Sequence, residues 1–364
     1  MTTMMNKTHL ARHIAVAGAI AAVLCCAAAL AMPWWAERAT QHLAAEFFCI
    51  LALAQMWNLL VGYGGMVSVG QQLYIGIGAY SLVPLALWMG INPFFAAPLA
   101  GLVGALFALP CGVLLFRLRG AHFAVGTWVL AEVFRLLTVN TMSLGGGSGL
   151  SVLPAMKGMP VWWRESLTLW TALALGVGAC LGVWLLLRSR LGLALTAVRD
   201  NEGAAESLGV GIGRIKWIVY VAAAAGCATC GALLFTMKMR ISPEAAYAVD
   251  WSAMMFFAVV IGGIGSIEGP ILGVLVYFLV RQWLGDWGAW YQMVLGLLTI
   301  VVMLRYPKGM FGALGIQLFP TRRRPGGADN GRAAIDAATV AIATTAASTA
   351  TTSNNMPPAM AAGE

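Results

Sequence analysis

The chain has 364 residues, of which 60% are hydrophobic and only 10% charged, whereas soluble domains carry about 25% charge. That composition excludes a soluble globular protein and defines a polytopic membrane protein. The net charge of +8 is no nucleic-acid signature: the basic residues lie between and after apolar segments, where they orient a chain in the lipid bilayer.

Residues 1–13 are polar, with Lys7 and Arg12, and residues 14–32 are apolar throughout. This run exceeds the roughly 7–15 residues of a signal-peptide core, so residues 1–44 read as an N-terminal cytoplasmic segment and an uncleaved first span. Pro33, Trp34 and Trp35 mark a membrane interface. Residues 47–61 form the core of a second span. GYGGMVSVGQQLYIGIGAY follows, residues 62–80, rich in glycine yet uncharged. Such a break in a membrane protein predicts a discontinuous or re-entrant segment lining a path. Residues 73–89 and 94–116 are the next two spans, closed by a basic turn with Arg117 and Arg119.

The fifth span, residues 122–139, contains Glu132 and Arg135, three apart and so on one helical face. A lone charge at mid-membrane costs roughly 2.5–3.5 kcal/mol on insertion scales, and a paired one facing the bundle costs less. A structural ion pair between helices is expected; a gating or pathway element is the other reading. Residues 141–165 form an outer loop with LGGGSG at 144–149. It lacks the G-K-[ST] ending of a phosphate-binding loop, and no such signature occurs in the chain, so no sign of nucleotide hydrolysis by this chain is present.

Residues 166–187 are the sixth span. Residues 188–214 are then the one long charged interruption, with Arg188, Arg190, Arg199 and Arg214 alternating with Asp200, Glu202 and Glu206. Ala194, Ala197, Val198, Ala205 and Leu208 recur at roughly helical spacing, predicting a small apolar face. Gly209, Gly211 and Gly213 are expected to break the helix. A short helix pair held outside a membrane suits a groove on a soluble partner; an ordinary loop whose charges set orientation is the plainer reading. Residues 215–236 are the seventh span, and residues 251–261 begin the eighth, which runs into GGIGSIEGP at 262–270. Residues 271–283 and 290–304 complete ten. Residues 321–364, rich in Ala, Thr, Gly and Ser, cannot bury a core and read as a disordered tail.

Cys25, Cys26, Cys49, Cys111, Cys180, Cys227 and Cys230 all fall in apolar segments and read as packing residues. The Cys227-x-x-Cys230 pair lacks a second ligand pair or a nearby His, so no metal is expected. Gly64-Gly65-x-x-Ser68 reappears as Gly262-Gly263-x-x-Ser266, each opening a new apolar segment, as corresponding broken helices of transporter repeats do. With the N-terminus inside, Lys7, Arg12, Arg117, Arg119, Arg188, Arg190, Arg199, Arg214, Lys216, Arg305, Lys308, Arg322, Arg323, Arg324 and Arg332 fall on the cytoplasmic side, 15 of 22 basic residues. The asymmetry puts both termini and residues 188–214 in the cytoplasm. The expected fold is an all-α polytopic helical bundle of roughly 8–10 transmembrane helices with Gly-rich breaks, its main domain at residues 45–320.

Four blocks of residues carry a resemblance. Residues 189–210 keep Ser189, Gly192, Ala194, Arg199, Asp200, Asn201, Glu202, Ala204, Ala205 and Gly209. Asn58, Gly62, Tyr63, Gly64, Ser68 and Gly70 are followed by Gly76, Gly78, Ala79 and Tyr80. Arg117, Arg119 and Gly120 precede Phe123, Ala124 and the Glu132–Arg135 pair. Gly262, Gly263, Gly265, Ser266, Gly269, Pro270 and Gly273 form the fourth. Through them the chain resembles the membrane permease subunits of branched-chain amino acid ABC importers, of the M type (LivM-like), over roughly residues 45–315. It departs in having Val69-Gly70-Gln71-Gln72 after the first Ser and Leu193 in place of a usual basic residue.

The resemblance implies a subunit of the bacterial inner membrane that forms half of a pathway with a second, H-type permease. Two cytoplasmic ABC ATPases hydrolyse the ATP, and an extracytoplasmic substrate-binding protein delivers cargo. This chain itself would carry no cofactor and no catalysis. Arg199, Asp200, Asn201, Glu202, Ala204, Ala205 and Gly209 would be the coupling loop. Gly64, Gly65, Ser68, Gln71, Gly262, Gly263 and Ser266 are candidates for the path or for tight helix packing. The same resemblance admits urea, short amides or aromatic acids as cargo. The rival from another class is a stand-alone ion-coupled transporter using Glu132, Arg135, Glu268 and Asp286. A membrane enzyme is disfavoured, because His9, His13, His42 and His122 are scattered and no nucleophile cluster appears.

Overall fold

The computed structural model describes residues 24–314 except 119, 286–289 and 307–308, and gives no side-chain environment for 313–314. The start of the first span, the tail from residue 321, Arg119 and Asp286 therefore lie outside the described residues. In lipid a segment must satisfy its own backbone, which helices do, and the long apolar runs fold accordingly. In chain order the helices are α1 (Leu24–Trp35), α2 (Arg38–Asn58, prolonged by a wider π-helical turn at Leu59–Tyr63), α3 (Gln72–Leu82, prolonged likewise at Val83–Trp88), α4 (Pro93–Leu115) and α5 (Ala121–Val139). Then follow α6 (Val161–Arg188), α7 (Arg190–Asp200), α8 (Glu202–Ser207), α9 (Ile212–Lys238) and α10 (Pro243–Ala246). The last are α11 (Asp250–Gly262), α12 (Glu268–Leu284), α13 (Trp290–Arg305) and α14 (Gly309–Leu314).

Seven helical stretches among the described residues are long and apolar enough to cross a membrane: α2, α4, α5, α6, α9, α10 with α11, and α13 with the start of α14. α1 and α3 are shorter apolar helices. The expected all-α bundle is what forms, and α12 adds a further helix that returns alongside α11.

α2 and α9 are the most enclosed spans, whereas α5, α6 and α13 leave most of their apolar surface outward. α9 packs on α4, α3 and α2, and α2 packs on α6, α11 and α12. Without a hydrophobic drive between helices in lipid, close approach through small residues supplies the packing. Gly101 and Gly104 of α4 lie against Ala225, Ala228 and Thr229 of α9, and a Cβ at Gly78 of α3 would overlap the Ala228 backbone. Tyr74 and Tyr220 join α3 to α9 through their hydroxyls at 2.5 Å.

The connections alternate between two ends of the bundle. One end holds residues 36–37, 89–92, 140–160 and 239–249. Trp162 Nε1 donates to Pro33 O there, at 3.3 Å, and Trp34 packs against Trp162 and Trp170, an aromatic cluster typical of a membrane interface. The LGGGSG loop folds into 3₁₀ turns, and a two-residue ribbon pairs Leu150 with Ile241 and Ser151 with Arg240. Gly149 lies so close to Ile241 that a side chain would overlap its carbonyl; the loop packs down on the chain and is no phosphate cradle. The other end carries α7, α8 and both Gly-rich breaks.

Candidate functional site: a node where two helix breaks meet

The site begins with two amides in an otherwise apolar helix. Gln55 and Asn58 lie one turn apart near the end of α2, and both are fully buried. Gln55 Nε2 donates to Ile267 O at 2.6 Å, and Asn58 Nδ2 donates to Ser266 O at 2.8 Å. Asn58 Oδ1 accepts from Gly265 N at 2.8 Å. Three side-chain bonds from α2 thus hold the turn between α11 and α12. The geometry needs glycine. Gly263 and Gly265 have φ of 129° and 73°, which side chains disfavour, and a Cβ at Gly62 would stand 2.6 Å from Gly265 N. The start of α14 closes over the turn, with the Gly309 backbone packed on Gly263.

The two matched Gly-Gly-x-x-Ser motifs therefore adjoin, although they fold differently. After Gly65 (φ 66°) the chain leaves the helical path and runs back along α2 without regular structure. Trp57 Nε1 donates to Ser68 O at 3.0 Å, and Val69 N donates to Thr127 Oγ1 of α5 at 3.2 Å. α3 begins only at Gln72, beside Cys227 in the middle of α9, where Cys227 Sγ donates to Gln71 Oε1 at 3.5 Å. The first break is a discontinuous segment, as expected. The second is a tight reversal: a Cβ at Gly262 would overlap Gly269, and one at Gly273 would overlap Ala258. Ser266 Oγ accepts from Gly269 N at 3.1 Å and so caps α12. Ser68 Oγ accepts from Gly70 N and from Gln71 Nε2, both at 3.4 Å. Gln71, a candidate for the path or for tight helix packing, is buried between helices, and Gln72 bonds Ser252 of α11.

Residues 188–214 fold as the expected short helix pair. Ser189 caps α7, accepting from Gly192 N at 3.4 Å, and Asn201 caps α8, accepting from Ala204 N at 3.0 Å. Gly209 ends α8 with φ 80°, but Gly213 lies inside α9 and breaks nothing. The small apolar face departs from the expectation in direction. Gly192, Leu195, Val198 and Ala205 are buried against the chain's own helices, while Leu193 and Leu208 are exposed. Two helices at an angle do not share the single stripe that one continuous helix would have.

Arg199 joins the helix pair to the node. Its side chain is only 14% exposed; Nη1 donates to Gly62 O at 2.8 Å, and Nε and Nη2 donate to Asp200 Oδ1 at 3.2 and 3.0 Å. The methylenes lie on Gly65, and Nη1 lies beside Gly265. Glu202 is 59% exposed and accepts from Lys216 Nζ at 2.6 Å.

The Glu132–Arg135 pair forms, with Arg135 Nε donating to both carboxylate oxygens at 2.9 Å. It is an i,i+3 pair within α5 rather than a bond between helices, and Glu132 is 46% exposed. The pair sits on an outward flank, because α5 packs one side against α3, α4 and α10 and leaves most of its surface outward. Glu268, by contrast, is buried at the start of α12 at the node end. Cys227 and Cys230 are buried free thiols, and no group of three metal-ligating side chains occurs among the described residues.

Sequence reasoning left Gln55 out and used Asn58 only within a motif. Two amides at i,i+3 spacing inside an apolar span, just before a Gly-rich break, are the signal that could have found both.

A polytopic bundle whose two broken segments meet under a charged helix pair is the architecture of a transport protein. The model of the family described as the permease component of branched-chain amino acid transport systems matches residues 40–303, and the chain belongs to that family. It is 28% identical over 307 residues to the high-affinity branched-chain amino acid transport permease protein LivM of Escherichia coli K12, covering 78% of this chain and 72% of that one. The probable LivM of Methanocaldococcus jannaschii is 28% identical over 214 residues, 58% of this chain and 60% of the relative. The fructose import permease FruG of Bifidobacterium longum is 25% identical over 219 residues, 56% and 64% respectively. No solved structure matches.

Proposed function

We propose that this chain is a permease subunit of an ATP-driven importer for branched-chain or related amino acids. It forms half of the pathway with a second permease, and of the two cytoplasmic ATPases that drive the importer one docks on α7 and α8. The observation that carries the reading is the Arg199–Gly62 bond. A load on the helix pair reaches the one place where both breaks are held. The irregular segment 65–70 and the α11–α12 turn share that anchor, so its displacement tilts α3 and α12 together. That is the motion alternating access requires. The cytoplasmic assignment of this end rests on its basic residues, Arg117, Arg188, Arg190, Arg199, Arg214, Lys216 and Arg305. It implies a multi-pass protein of a bacterial inner membrane, fed by an extracytoplasmic binding protein. ATP chemistry belongs to the partners. Exposed Leu193 and Leu208 offer the ATPase an apolar contact.

The test is purification of the tagged full-length protein in mild detergent, with cross-linking from Glu202→Cys and Leu208→Cys. An ATPase cross-linked at both positions, with ATP-dependent uptake of leucine, is the expected result. A protein without ATPase that still transports on an ion gradient would overturn the reading. Uptake of fructose in place of leucine would retain the importer and replace the cargo.

A further inference from the structure

The outward flank of α5 is apolar except at its centre. Val125, Trp128 and Leu136 are exposed there, and their helical spacing puts Glu132 between them on the same face. Glu132 is 11 residues after Ala121 and 7 before Val139, the two ends of α5. At 1.5 Å per residue it lies about 16 and about 10 Å from those ends. The carboxylate is therefore well inside a span, too deep for two methylenes to carry it to water. Arg135, whose longer side chain could reach the nearer end, turns back instead: Nε and Nη2 donate to the Glu132 carboxylate at 2.9 and 2.5 Å. The Glu132 side chain nonetheless stays 46% exposed, because α3, α4 and α10 pack on the other side of α5.

α4, α6 and α13 also turn exposed side chains outward, Leu102, Leu185 and Leu297 among them, but no charged residue interrupts their middle turns. Hydrocarbon offers a carboxylate and a guanidinium no hydrogen bonds, and charges within spans face a bundle interior or a water-filled cavity. Lipid therefore fits those three helices and not the α5 flank. We propose that the second permease subunit packs against this flank of α5, with the Glu132–Arg135 pair on the seam between the two subunits. The proposal rests on the importer reading and gives its two permeases a contact surface. Of the partners in that reading, the ATPases and the binding protein are soluble. Only the second permease can stand beside a residue about 10 Å from the nearer helix end. The paired charges cancel, so the facing group is a polar side chain or seam water that hydrogen-bonds the remaining lone pairs of the carboxylate, not a lone counter-charge. Exposed Trp128 supplies a large anchor beside the pair, a residue type enriched at interface centres.

The test is site-specific photocross-linking of the full chain, co-expressed with the H-type permease and purified into lipid nanodiscs. A benzophenone amino acid replaces Val125 or Leu136 on the α5 flank, or Leu102 or Leu185 on the apolar faces of α4 and α6. All four side chains are exposed, so the replacements leave the packed interior untouched. Irradiation should join the chain to the H-type permease from Val125 and Leu136, and severalfold less from Leu102 and Leu185, with the adducts identified by mass spectrometry. Adducts from α4 or α6 with the α5 positions silent would overturn the proposal, and so would adducts from α5 to a second copy of this chain. Co-purification of the H-type permease on the same preparation separates the two failures. With that subunit bound and no α5 adduct, the surface alone is wrong. With no second permease retained, the surface and the importer reading fall together.

Discussion

Asn58→Leu removes both bonds by which α2 holds Gly265 and Ser266 while keeping a side chain of similar outline. A hydrogen bond deleted by replacing one buried partner costs about 1–3 kcal/mol. Two such bonds set about 2–6 kcal/mol, and the half-buried position of Ser266 lets water recover part, leaving about 2–4 kcal/mol. Interhelical side-chain bonds in membrane bundles average only about 0.6 kcal/mol, because a helix unfolded in lipid finds other partners. The node differs in that its acceptor and donor are backbone groups of a non-helical turn, which no single helix can satisfy. Equilibrium unfolding in mixed micelles titrated with sodium dodecyl sulfate, read by tryptophan fluorescence, measures the difference. A loss for Asn58→Leu no larger than about 0.6 kcal/mol would refute the reasoning and reduce the node to an ordinary helix contact.

Three further outcomes follow from the same geometry. Arg199→Lys removes the planar fork that serves Gly62 and Asp200 together; uptake per ATP hydrolysed should fall several-fold with ATPase docking intact, and an unchanged ratio in proteoliposomes would exclude a linking role. Glu202→Arg places like charge beside Lys216 and should weaken ATPase docking while leaving membrane insertion intact, read by co-purification at equal expression; unchanged ATP-dependent uptake would remove Glu202 from the docking surface. Gly70→Ala would drive a Cβ into the Thr127 backbone carbonyl and should cost about 1–3 kcal/mol in the same micelle titration; wild-type stability would show that residues 64–71 do not lie against α5 as described.

The amino-acid sequence by itself determined that this is an all-α membrane bundle, where its spans and breaks fall, and where its charged helix pair lies. Those properties are local: a long apolar run must become a helix in lipid, and a glycine cluster or a charged stretch interrupts it whatever surrounds it. The Gly-Gly-x-x-Ser match also announced itself, since it is a property of one strand of text. Only the tertiary structure decided that the two motifs touch, that Gln55 and Asn58 of one helix bind the other's turn, and that Arg199 reaches Gly62 from 137 residues away. Nothing in a charged loop distinguishes Arg199, three-quarters or more enclosed, from Glu202 in solvent, because burial is set by what packs above a residue. Even the Glu132–Arg135 spacing, legible as a pair, carried no information on whether it faced the bundle or its flank, because a helix fixes which residues share a face and only packing fixes where that face points.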